Sequence, residues 1–153
     1  MSRSEKAEQF FKDGLNCSQA ILTVYGESYG MDQALAHRIG RPLGGGLGRL
    51  GKTCGAVTGA LTILGLAQGN PEDEGEARNA IAQSAREFVR RFEERQGTTL
   101  CRELLHADMS TEAGSKKIKE EQLVARLCPA FVKDAAEILS ELLPQEIASI
   151  QKK

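Results

Sequence analysis

Four cysteines are the residues of this 153-residue chain with the clearest capacity for chemistry. They are Cys17, Cys54, Cys101 and Cys128, separated by 37, 47 and 27 positions. No two of them form a Cys-x-x-Cys pair, so the spacing indicates neither a zinc ribbon nor a thioredoxin-like motif. A thiolate attacks disulfides and binds metals, whereas a packed thiol behaves as a small hydrophobic group. The surroundings of each cysteine therefore decide between these roles.

The first two cysteines are predicted at the starts of two helices. Cys17 follows Asn16, a good N-cap residue. Cys54 follows Thr53, which we predict to be the N-cap of the central helix. Both thiols are therefore expected in the first turn of a helix.

The other two cysteines are predicted in similar positions. Cys101 follows the pair Thr98-Thr99, which can cap a short helical turn. Cys128 precedes Pro129, a residue favoured at the first position of a helix, so Cys128 is predicted to occupy a cap position. All four cysteines are therefore expected in or beside a first helical turn.

This placement predicts reactive thiols. The N-terminus of a helix carries unpaired N–H groups and a partial positive charge, which can lower the pKa of a thiol from about 8.5 to roughly 3.5–7.5. Two chemical outcomes stay open if the helix ends converge. One is a dithiol–disulfide couple for thiol exchange or electron transfer. The other is an iron–sulfur cluster or zinc ion held by three or four of the same cysteines.

A competing motif lies just before Cys54. Residues 46–53 match the P-loop pattern G-x-x-x-x-G-K-[ST], with Lys52 and Thr53 in the phosphate-binding and magnesium-binding positions. A P-loop also requires a preceding strand, and no strand is predicted here. The nucleotide-binding hypothesis is therefore secondary to a turned loop that leads to Cys54.

Composition predicts an all-α fold. The chain has 18 alanines and 17 leucines, no tryptophan and only 5% aromatic residues, which favours helices over sheets. We expect one compact domain over residues 1–153, a bundle of five to seven helices with a glycine-rich loop before the central helix. Gly55 and Gly59 lie on one face of that helix and should admit another backbone.

Charge and the N-terminal sequence bear on partners and location. The chain has 20 basic and 21 acidic residues, so it lacks the positive charge typical of a general nucleic-acid binder. No signal peptide is visible, and the uncharged stretch over residues 53–70 is typical of a buried helix rather than a membrane span. We therefore expect a cytoplasmic protein that is not an integral membrane protein.

Five sequence blocks together resemble a known family. They are Gly14–Ala20, Gly44–Gly48, Thr53–Ala60, Cys101–Leu105 and Cys128-Pro129. In this order they are similar to the C_GCAxxG_C_C family of redox-active proteins. The family label reads Gly-Cys-Ala, whereas this chain reads Cys54-Gly55-Ala56.

The resemblance implies a redox or metal role for all four cysteines, with thiol oxidoreductase activity as one form of it. It also implies a transporter-linked role and an unidentified redox partner. It names no substrate, and it leaves a homodimer open.

Overall fold

The computed structural model describes residues 1–144. Within that range the chain forms eight α-helices and no strand, which confirms the all-α prediction. The helices are α1 (Arg3–Lys12), α2 (Cys17–Gly26), α3 (Gln33–Gly40), α4 (Gly55–Gln68), α5 (Glu74–Gln96), α6 (Cys101–Leu104), α7 (Glu112–Glu120) and α8 (Leu123–Leu142). Short 3₁₀ helices follow α2 and α3, at Glu27–Tyr29 and Arg41–Leu43.

The core lies where α2, α4, α5 and α8 meet, with α1 packed across α2 and α8. The long helix α5 contributes the stacked and fully buried rings of Phe88 and Phe92, whose centroids are 6.3 Å apart. The hydroxyl of Tyr25 on α2 donates to the carbonyl of Ala136 on α8 at 2.9 Å. The Tyr25 hydrogen bond fixes α8 against α2, the helix that begins at Cys17.

Two glycines let α4 approach α2 closely. A Cβ on Gly55 would lie 3.1 Å from the amide nitrogen of Ser18, and a Cβ on Gly59 would lie 3.2 Å from the Cα of Ser18. Such distances are tighter than ordinary van der Waals contact. The predicted glycine face is therefore in contact with the backbone of α2, which places the start of α4 beside the start of α2.

Two predicted helix starts are wrong, and the pair Thr98-Thr99 does not cap α6, whose N-cap residue is Leu100 without a side-chain hydrogen bond. Thr53 does not cap α4: it pairs with Leu100 in an isolated antiparallel bridge, and Cys54 is the N-cap residue. Cys128 is not a cap either, because α8 begins at Leu123 and carries Pro129 in its interior. The proline nitrogen cannot donate a hydrogen bond, and the packing of α8 against α1, α4 and α5 offsets this loss of stability.

In the described part of the chain, none of the helices combines the length and the apolar character that a membrane crossing requires.

Candidate functional site

All four cysteines line a single cavity of about 710 Å³. Each is a free, buried thiol, with exposed fractions between 4% at Cys54 and 9% at Cys17. The chain therefore brings together four side chains that are far apart in sequence.

Local capping fixes the position of Cys17. The side chain of Asn16 accepts the amide of Gln19 at 2.8 Å, and the side chain of Gln19 accepts the amide of Asn16 at 3.0 Å. The same two side chains donate to the carbonyls of Gly40 and His37 at the end of α3. This capping box confirms the predicted start of α2, and the bonds to Gly40 and His37 tie that start to the end of α3.

Backbone hydrogen bonds bring Cys54 and Cys101 together. The amide of Cys54 donates to the carbonyl of Thr99 at 2.8 Å, and the amide of Cys101 donates to the carbonyl of Lys52 at 2.6 Å. Gly46 then lies against Cys101, since a Cβ there would stand 2.7 Å from the Cys101 Cβ. Its φ of +70° also favours glycine. The loop thus delivers Cys54 to the side of α6.

Cys128 reaches the cavity from the interior of α8. Its position in the second turn removes it from the helix N-terminus, which corrects the prediction of four helix-start cysteines to three. The Cys17 thiol interacts with both Cys128 and Cys54, and these interactions raise its pKa. Three of the four sulfurs therefore form a connected group.

Cys54 has the environment of a stabilised thiolate. A hydrogen bond from the Cys17 thiol lowers the pKa of Cys54, and burial opposes this effect. The amides of Ala56 and Val57, in the first turn of α4, lower it further. The Cys54 side chain makes no capping hydrogen bond, and the amide of Val57 donates to the Cys54 carbonyl at 3.0 Å. These amides therefore act on the sulfur through the partial positive charge of the helix N-terminus.

The other helix-start thiols do not behave as predicted. Hydrogen bonds to Cys128 and Cys54, together with burial, raise the pKa of Cys17 well above its ordinary value. Burial, followed by the neighbouring sulfurs, raises the pKa of Cys101 to about 12. The effect of the helix N-terminus is outweighed at Cys17 mainly by hydrogen bonds that favour the protonated thiol, and at Cys101 mainly because a buried thiolate loses its hydration. Of these three helix-start thiols, only Cys54 has its pKa lowered.

The glycine-rich loop does not have the form of a phosphate cradle. The amides of residues 47–52 donate to carbonyls of residues 42–47, so the loop satisfies its own donors. In the described chain no strand precedes it, and Thr53 lies in the bridge rather than in a helical turn. Both features contradict the P-loop hypothesis, which needs free amides between a strand and a helix.

Metal binding by the same cysteines lacks geometric support. Within residues 1–144 there is no group of three or more His, Cys, Asp or Glu side chains arranged to hold a metal ion. The raised pKa of Cys17 means that a metal ion would have to displace the proton of this thiol on binding.

Several residues of the cavity carried no recognisable signal in the sequence. The lining includes Lys12, Lys119 and Gln122 and a large apolar set: Phe11, Leu15, Leu104, Leu105, Met109, Ile118, Val124 and Phe131. They come from α1, α6, α7, α8 and the connecting loops, so only the packing of these elements brings them together. The amides of Ala56 and Val57 could have been recognised as neighbours of the Cys54 sulfur only if the start of α4 had been predicted correctly.

The structure thus defines a helical protein with a cavity lined by four thiols. Residues 15–142 match the family model described as "Putative redox-active protein (C_GCAxxG_C_C)". The chain belongs to this C_GCAxxG_C_C family, which confirms the resemblance drawn from the five sequence blocks. No curated protein and no solved structure matches the chain.

Proposed function

We propose that this protein is a thiol–disulfide oxidoreductase in which Cys54 is the attacking thiol and Cys17 the resolving thiol. The observation that carries the proposal is that the pKa values of Cys54 and Cys17 shift in opposite directions. The pKa of Cys54 is lowered by a hydrogen bond from Cys17, while the pKa of Cys17 is raised. One thiolate and one thiol in contact are the two reactants that formation of a disulfide requires.

The proposed exchange has two steps. The Cys54 thiolate attacks one sulfur of a substrate disulfide, a mixed disulfide forms, and the second substrate sulfur leaves and takes up a proton. Cys17 then loses its proton and attacks the Cys54 sulfur, which releases the first substrate sulfur. Two protein thiols are oxidised and one substrate disulfide is reduced by two electrons and two protons.

Cys128 and Cys101 have different parts in this proposal. Cys128 is hydrogen-bonded to Cys17, so it is placed to accept the disulfide from Cys54 by a second exchange. The pKa of Cys101, raised to about 12, keeps that thiol protonated at neutral pH. We therefore assign Cys101 to the wall of the cavity rather than to the first exchange.

Thiol counting on the anaerobically purified protein tests the proposal. Mild oxidation with diamide should remove two thiols, which return on reduction, and Cys54→Ser should abolish this change. Lys52→Ala is the matched control, because the Lys52 backbone, not its side chain, makes the hydrogen bond to Cys101. An unchanged thiol count after oxidation would contradict the proposal, and loss of the signal in Lys52→Ala would revive the P-loop hypothesis.

The same preparation tests the metal alternative. Iron and zinc analysis and a visible spectrum should show less than stoichiometric metal. About one equivalent of metal per chain, with few titratable thiols, would contradict simple thiol exchange and favour a thiolate-bound metal site.

Location and partners stay predictions. Four free thiols fit the reducing cytoplasm that the sequence favours. The redox partner, the transporter link and the homodimer are likewise expectations, and the family match does not address them.

A further inference from the structure

The cysteines are accessible only through the cavity. The four thiols are between 4% and 9% exposed, so no sulfur stands on the outer surface of the protein. Exchange with a disulfide of a folded protein requires three sulfurs to align at a contact surface, which these buried thiols do not offer. A reactant must instead enter the cavity, whose volume of about 710 Å³ is in the range of small-molecule sites.

The lining determines the kind of molecule that fits. Most of the cavity wall is apolar, with aromatic or aliphatic side chains from α1, α6, α7 and α8. Its charged lining residues are Lys12 and Lys119, and no described carboxylate lines it. Both lysines lie on the exposed side of the wall, whereas the thiols are buried. The cavity is thus apolar around the sulfurs and positive toward solvent.

Of the two cations, Lys119 is the more available. Lys12 is paired with Glu8 at 3.0 Å. Lys119 forms no ion pair with any residue in the described part of the chain. It follows Ile118, whose buried side chain also lines the cavity. An anionic group at the cavity mouth would therefore meet Lys119 while the rest of the molecule contacts the apolar wall.

We propose that the cavity admits a small amphipathic dithiol or disulfide, with its sulfur end toward Cys54 and an acidic group at Lys119. This inference rests on the proposed function and specifies its substrate class. In this exchange the Cys17–Cys54 disulfide and the substrate dithiol interconvert with the reduced protein and the substrate disulfide. Each side of this exchange has one disulfide and two thiols, so no further reactant is needed.

Four reductants test the proposal on the full chain after oxidation with diamide. Dihydrolipoate has an apolar body and a carboxylate, and dihydrolipoamide is its neutral analogue. Dithiothreitol is a polar dithiol, and reduced glutathione is a polar, charged monothiol. Each rate constant is divided by the rate constant of the same reductant toward 2-hydroxyethyl disulfide, which removes differences in intrinsic reactivity.

We expect the normalised rate to be highest for dihydrolipoate, about three- to fivefold above dihydrolipoamide, as a partly exposed ion pair allows. Lys119→Gln should abolish this preference. Lys116→Gln is the matched control, because Lys116 lies on the same helix but does not line the cavity. Both dihydrolipoyl compounds should exceed dithiothreitol and glutathione.

The outcomes separate the two proposals. If diamide forms no Cys17–Cys54 disulfide, the proposed function fails and the substrate inference fails with it. If the disulfide forms but dihydrolipoate and dihydrolipoamide react equally, or dithiothreitol reacts as fast, only the substrate inference is overturned. A preference that survives Lys119→Gln also overturns the assignment of Lys119.

Discussion

At the scale of single residues, the cysteines differ because each meets a different balance of burial and hydrogen bonding. Cys54 gains a thiol donor and two amides, and these outweigh its burial. Cys101 also begins a helix, but burial dominates there. Position at a helix start is therefore not sufficient to predict a reactive thiol.

The reactivity of Cys54 should extend to lower pH than that of an ordinary cysteine. Its lowered pKa means that the thiolate persists as pH falls, so alkylation by iodoacetamide should reach half its maximal rate below the ordinary cysteine pKa of 9.0. Peptide mass spectrometry across a pH series measures this rate. Cys17→Ala removes the donor and should shift the midpoint upward, whereas Cys17→Ser keeps a donor and should shift it less. A wild-type midpoint at or above that of a free cysteine would contradict the assignment.

Cys101 should make the stability of the fold depend on alkaline pH. Its folded-state pKa of about 12 lies above the ordinary value of 9.0, so the unfolded chain ionises first as pH rises. The contribution of the protonated Cys101 thiol to the free energy of unfolding is complete below about pH 9. Above that pH it falls by about 1.4 kcal/mol for each further pH unit, until the thiol of the folded protein also ionises. Urea unfolding at several pH values should therefore show Cys101→Ala losing less stability than wild type in this range. Parallel pH profiles for the two proteins would refute the raised pKa.

At the scale of elements, the site depends on how closely α4 approaches α2. Gly59 touches the backbone of Ser18, which cannot move aside as a side chain can. Gly65, less than two turns further along α4, has nothing within 4 Å of an added Cβ. The two glycines therefore differ in function although they share a helix.

Alanine substitutions at these glycines should have opposite effects. Gly59→Ala should lower the free energy of unfolding by about 1–3 kcal/mol, because the new methyl group presses on the backbone of α2. Gly65→Ala should raise it by about 0.5–1 kcal/mol, through the better helix propensity of alanine. Chemical denaturation measures both changes. A Gly59→Ala protein as stable as wild type would show that the close approach is not required.

The sequence predicts those elements whose signals are local. The Asn16–Gln19 capping box needs only neighbouring residues, so the start of α2 and the place of Cys17 could be predicted. The bonds that join Cys54 to Thr99 and Cys101 to Lys52 span nearly fifty residues, and no local pattern encodes them. Pro129 indicated a helix start because proline favours that position, but tertiary packing carries α8 through it.

At the scale of the whole molecule, the helices form a frame that holds four distant thiols around one cavity. α2 and α4 supply Cys17 and Cys54, α6 supplies Cys101 and α8 supplies Cys128. Each of the four sequence blocks that contain a cysteine contributes to the lining of the cavity. Composition could predict the helical class, but only the packing of the helices defines the cavity and its two lysines.

The most direct test of the central claim is to map the first disulfide that forms. The reduced protein is treated with less than one equivalent of diamide, quenched by alkylation, digested and examined by mass spectrometry. A peptide pair joining Cys17 to Cys54 is predicted, with Cys101 recovered as a free thiol. A first disulfide that excludes Cys54, or the recovery of four free thiols, would contradict the account.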